Sequence, residues 1–173
     1  MYPPFDLGSH TRKITTDSDE AQLWFDRGLN WCFGFNQEEG VTCFRKALEF
    51  DPHCAMAHWG VAYAAGPFYN FPWCDYSSRE LEQCTVLCFD HVQQALSLSG
   101  NISAEEAALI RALTARFQAG HPVTQDKFDR WDDDYANAMR EAHHQFPEDL
   151  DIVALFVEGM MTRTPWKLWN VST

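Results

Sequence analysis

The chain has 173 residues, 46% of them hydrophobic and 22% charged, the composition of one folded domain with a real core. Its net charge of −12 repels phosphate backbones and anionic lipid, which argues against nucleic acid and membrane surfaces as partners. The start, MYPPFDLGSHTRKITT, has no apolar signal core, and the six cysteines at 32, 43, 54, 74, 84 and 88 contain no CxxC pair. The expectation is a cytoplasmic chain with reduced thiols.

Residues 1–17 lack periodicity and read as an irregular lead-in with a Gly8-Ser9 turn. Ser18 caps a first helix, with Asp19 and Glu20 placed where the helix dipole favours negative charge. Leu23, Trp24, Arg27, Gly28 and Trp31 share one side of it. Gly34-Phe35-Asn36 is a turn, and a second helix carries Val41, Phe44, Ala47 and Leu48 on its apolar face. Asp51-Pro52 ends it. A third helix runs from about Cys54 to Ala65. The stretch 54–74 has no Asp, Glu, Lys or Arg, but Gly66-Pro67 breaks it midway, so it is read as a buried helix and an aromatic loop rather than a membrane span.

Residues 66–77 form that loop, and Ser77 or Ser78 caps a fourth helix, with Leu81, Val86, Phe89, Val92 and Leu96 expected inside. Ser103-Ala-Glu-Glu106 is a capping box opening a fifth helix to about Ala119. A sixth spans about 124–145 and a seventh about 149–161, and an irregular tail follows. No stretch alternates with period two, so no sheet is expected. The fold class is all-α, with about seven helices as antiparallel pairs. The domain reading is a lead-in over 1–17, a helical-repeat domain over 18–161 and a tail over 162–173.

Trp24, Gly28 and Trp31, then Gly40, Phe44, Ala47 and Pro52, match the offsets of a tetratricopeptide unit. Small residues at 28 and 40 let the two helices approach, and the aromatics fill the space between pairs. Gln94-Ala95-Leu96 and Tyr135, Met139, Ala142, Pro147 repeat the ending more weakly. Over the segments DLGSHTRKITT, AQLWFDRGLNWCFGFNQEE, DPHCAMAHWGVAYAAGPFYN, FPEDLD and TPWKLW, the chain resembles the N-terminal portion of a tetratricopeptide-repeat (TPR) family of bacteria and fungi. The resemblance implies a TPR-like α-solenoid with further repeats downstream in longer relatives. Those relatives carry His after Gly-Phe-Asn, where this chain has Gln37.

Stacked helix pairs form a concave groove that holds peptides. The first functional reading is therefore a protein–protein interaction or scaffold module, not an enzyme, with Arg27, Asn30, His58, Tyr69 and Asn70 as groove residues. The second is a metal-dependent or small-molecule-binding enzyme, or a pathway accessory protein, on the same scaffold. Cys54 and His58 share a helix face at a spacing that can bind zinc or copper. Cys84, Cys88 and His91 lie along one helix and read as core or groove lining, since one straight helix cannot close a tetrahedral shell. Asp126, Asp129, Asp132, Asp133 and Asp134 read as a solvated helix face, and His143-His144 as a surface feature. The aromatic loop, with Tyr69, Asn70, Trp73 and Tyr76, is read as a ligand-covering element or as a plug sealing the helices. No GxSxG, GxxxxGK[ST] or GxGxxG occurs.

Overall fold

The computed structural model describes residues 5–167 and 169. Among these it holds seven α-helices: α1 (Asp19–Phe33), α2 (Gln37–Phe50), α3 (Ala55–Ala65), α4 (Ser78–Ser97), α5 (Ala104–Arg116), α6 (Gln125–Gln145) and α7 (Leu150–Thr162). The starts follow from local chemistry. The side chain of Ser18 accepts from the Ala21 N–H, Asn36 from Glu39, and Asp149 from Asp151 and Ile152. Ser77 and Ser103 each close a full capping box with the glutamate three residues on. Among the described residues the only β-type pairing is an isolated bridge between Phe68 and Phe71. No described helix is long and apolar enough to cross a membrane; α3 stops at Ala65.

Each helix packs on the next in sequence, and α1 also meets α3, and α3 meets α5. The odd-numbered helices from α1 to α5 are therefore neighbours. Phe44 of α2 is fully buried where α1 and α3 meet it. A Cβ on Gly28 would lie 2.7 Å from its ring, and one on Gly60 2.4 Å, distances that only hydrogen tolerates. A Cβ on Gly40 would meet the Cys32 sulfur at 2.6 Å and the Gly28 carbonyl at 3.3 Å. The two glycines singled out in the sequence thus do meet, and they bring α1 and α2 together.

Two details depart from the sequence expectation. Val86 and Leu96 of α4, expected inside, are exposed, and the buried stripe of that helix is Cys84, Thr85, Cys88, Val92 and Ala95. Helix α5 ends at Arg116, about three residues early. Phe117 leaves helical geometry (φ −123°, ψ 79°), and its buried ring fits where Gly66 lacks a side chain, 2.5 Å from an added Cβ. Residues 5–17 contain no helix or strand, in keeping with an irregular lead-in, and the segment is held against the helices. The segment runs back along α1. Asn30 donates to the His10 carbonyl (2.9 Å), the Arg12 N–H donates to Asp26 (3.0 Å), and the Ile14 N–H donates to Gln22 (3.0 Å). It also reaches the starts of α5 and α7. Thr15 donates twice to Glu106 (2.7 and 2.6 Å), and Arg12 forks onto Asp149 (2.8 and 3.0 Å) and touches Asp151 (3.1 Å). This arm ties the first helix to the last.

Candidate functional site

The inserted loop after α3 divides into two parts. In the first, Phe68 and Phe71 exchange backbone hydrogen bonds (3.2 and 2.9 Å), so Tyr69-Asn70 forms the tip of a tight turn. In the second, Trp73 is 1% exposed. Its ring stacks on Phe128 with centroids 4.3 Å apart and meets Phe117 and Trp131 edge-on. Its indole N–H donates to Asp132 at 3.3 Å. The plug reading applies to the second half of the loop. Trp73 is the plug, and Phe68 to Asn70 border open space.

That space consists of two concavities. A shallow one of about 530 Å³ lies between the α1–α2 turn, the end of α3 and the loop, bordered by Glu38, Val41, Ala64, Asn70, Phe71 and Tyr76. A more enclosed one of about 190 Å³ lies beside it, between the ends of α1 and α3 and the middle of α7. The enclosed cavity is bordered by Phe33, Tyr63, Tyr69, Val157, Glu158 and Met161. Phe35, Gln37 and Phe68 belong to both linings. Phe35 has a left-handed backbone (φ 61°) and is 71% exposed. A bulky aromatic in that region is an outlier that local sterics disfavour.

Behind the enclosed cavity lies a buried charge cluster. Arg116, at the end of α5, is fully buried. Its Nε is 3.4 Å from Asp132, its Nη1 is 4.0 Å from Glu158, and the guanidinium carbon is 4.7 Å from the centre of the Tyr135 ring. Burial works against its charge, but Glu158 and Asp132 outweigh it and hold the guanidinium protonated. Burial pushes Asp132 up to about 6 against the pull of Arg116, and raises Glu158 in the same way. Glu158 accepts from Thr162 through Oε1 (2.8 Å), while its Oε2 is buried without a hydrogen-bond partner. The Tyr135 hydroxyl is likewise buried and unbonded.

The structure distributes the residues singled out from the sequence. Tyr69 and Asn70 border the concavities, and Tyr69 also packs against Trp166 with ring centroids 5.7 Å apart. Asn30 holds the N-terminal arm. Arg27 is half-buried with its guanidinium 5.6 Å from the Trp24 ring centre. His58 contacts His91 of α4 through their Nδ1 atoms at 2.9 Å, and the Pro52 carbonyl through Nε2 at 3.3 Å. Burial lowers the pKa of both imidazoles, and that of His91 falls to about 4, helped by the neighbouring His58. Cys54 is buried at the N-cap of α3, and burial pushes its thiol up to about 11, away from the thiolate that zinc or copper prefers. Among the described residues no group of three or more His, Cys, Asp or Glu is gathered to hold a metal.

Cys84 and Cys88 are buried, their sulfurs 3.8 Å apart, and each donates to a carbonyl at the end of α3, Ala65 and Ala62. Two expectations need correction. Asp132 is not part of a solvated face, because it shares the inward stripe of α6 with Phe128, Trp131, Tyr135 and Met139. His143 is half-buried, its ring stacked on Phe156 at 5.4 Å.

Arg116, Glu158 and Arg12 were absent from the candidates drawn from the sequence. A signal existed for two of them. Arg116 continues the apolar stripe Leu109, Ala112, Leu113, and Glu158 interrupts the run Val153 to Met161. A charge within an apolar stripe needs a buried partner. Arg12 sits in a segment without periodicity, so no local pattern marks it. No family model matches the chain, and no curated protein matches it.

Proposed function

We propose that the chain is a TPR-like helical-repeat module that binds a segment of a partner protein at the paired concavities beneath the aromatic loop. The observation that carries this reading is the position of Phe35, an aromatic held largely exposed in disfavoured backbone geometry where both concavities meet. Exposed apolar surface concentrates where something is bound. The repeat reading draws support from the stepwise packing of each helix on its neighbour and from Phe44 fitted against Gly28 and Gly60. Recognition is assigned to Phe35, Gln37, Phe68, Tyr69 and Asn70. Asn30 is engaged by the chain's own arm, and His58 by His91.

Selection of a random peptide library on the immobilised chain tests the proposal. Enriched peptides should bind wild-type protein and lose roughly ten-fold or more in affinity to a Phe35→Ala, Asn70→Ala double variant that melts normally. Peptides that bind the double variant as well as wild type, or no enrichment at all, would refute the reading.

A further inference from the structure

We infer that the enclosed cavity takes an alkylammonium group, supplied by a lysine side chain of the partner segment. The inference rests on the proposed peptide-binding reading and adds the chemistry of what enters. Five rings, those of Phe33, Phe35, Tyr63, Phe68 and Tyr69, contribute to the lining, and among the described residues Glu158 is the only charged one there. Aromatic faces and a carboxylate both attract a cation, and in a desolvated site they do so together.

The charge balance behind the cavity points the same way. Asp132 and Glu158 share one guanidinium, and Arg116 is closer to Asp132 (3.4 Å) than to Glu158 (4.0 Å). With both acids ionised the cluster carries one surplus negative charge, and of its charged members only Glu158 borders the cavity. An ammonium supplies the missing positive charge. A carboxylate or phosphate would meet Glu158 before reaching Arg116, which is not part of the lining.

Size divides the ligand between the two spaces. A cavity of about 190 Å³ lies below the roughly 300–1,000 Å³ of sites for drug-sized molecules, so it admits a head group and its methylenes. The neighbouring depression of about 530 Å³ shares Phe35, Gln37 and Phe68 with it, and among the described residues Glu38 is the only charged one in its lining. It receives the flanking backbone. The net charge of −12 draws a basic segment toward the chain.

The test titrates the full chain with n-butylammonium and with n-butanol while following the Met161 methyl resonance by NMR, since Met161 borders the cavity. Butylammonium should shift it saturably and bind roughly ten-fold more tightly than butanol. Glu158→Gln keeps the acceptor for Thr162 and should remove that preference. Tyr69→Ala, at the loop tip, should weaken butylammonium without affecting folding, which covers the case in which the position-158 variant does not fold. Equal binding of alcohol and amine, or a preference unchanged in both variants, overturns the inference. Library-selected peptides should lose affinity when lysine becomes norleucine. If selected peptides bind at the concavities without needing lysine, the inference fails and the peptide-binding reading stands. If butylammonium binds but no peptide does, that reading fails and the occupant is a free amine.

Discussion

Arg12 places its guanidinium squarely on the Asp149 carboxylate, with paired contacts of 2.8 and 3.0 Å across 137 positions of sequence. The same carboxylate caps α7 by accepting from the backbone N–H groups of Asp151 and Ile152. One residue of an irregular arm thus completes the start of the last helix. It lies 9% exposed and also touches Asp151, which His10 approaches at 2.9 Å.

Arg12→Ala should therefore destabilise the fold by about 3 kcal/mol, because it strands two partly buried carboxylates. Arg12→Lys keeps the charge but loses the fork, and should fall between the two. Urea unfolding measures both. A midpoint for Arg12→Ala equal to that of wild type would mean that the arm does not secure α7.

Gly60→Ala should cost about 1–3 kcal/mol by overpacking, since the new methyl would lie 2.4 Å from a fully buried phenylalanine ring. Gly100→Ala serves as the comparison, with nothing within 4 Å of the added carbon. It should change stability by less than about 0.5 kcal/mol. Thermal melts of the two variants should differ clearly, and equal losses would refute the packing account.

The His58–His91 contact predicts an acid sensitivity. Both imidazoles are held below the ordinary value of 6.5, His91 at about 4. Between those values the unfolded chain binds protons that the folded chain does not, so stability falls as pH drops from 6.5 toward 4. His91→Asn should flatten this part of the profile relative to wild type. Denaturant titrations at pH 7 and pH 5 read the difference, and parallel profiles would contradict the prediction.

Arg116→Met should destabilise the chain by about 3–5 kcal/mol at pH 7, since two inward carboxylates lose their counter-ion. The loss should shrink at pH 5. Burial already raises Asp132 to about 6 and Glu158 above its usual range, and without Arg116 both rise further and take up protons. A loss that grows on acidification would show that the acids are not what Arg116 compensates.

The helices were legible because their signals are local. Serine caps, the Ser103–Glu106 box and the breaks at Pro52 and Gly66 each act within a turn or two, and all appear in the structure; apolar spacing was less decisive, since Val86 and Leu96 of α4 are exposed while Cys84, Thr85 and Cys88 are buried. The meeting of Gly28 with Gly40 was also readable, since a repeat ties small residues to a neighbouring aromatic. The aromatic loop stood out by composition, and Tyr69 and Asn70 do border the concavities.

The remainder depends on contacts between distant parts of the chain. Whether Asp132 faces water or Arg116 turns on which stripe of α6 meets α5, and a run of aspartates leaves that undecided. His58 faces His91 because α4 packs on α3, 33 residues away in sequence. Sequence by itself determined where helices begin and end, because those choices are made by hydrogen bonds and sterics among near neighbours. Only the tertiary structure decided that an arm without periodicity joins α1 to α7, and that Glu158 borders an aromatic cavity, because burial and charge pairing are set by whatever the folded chain brings alongside.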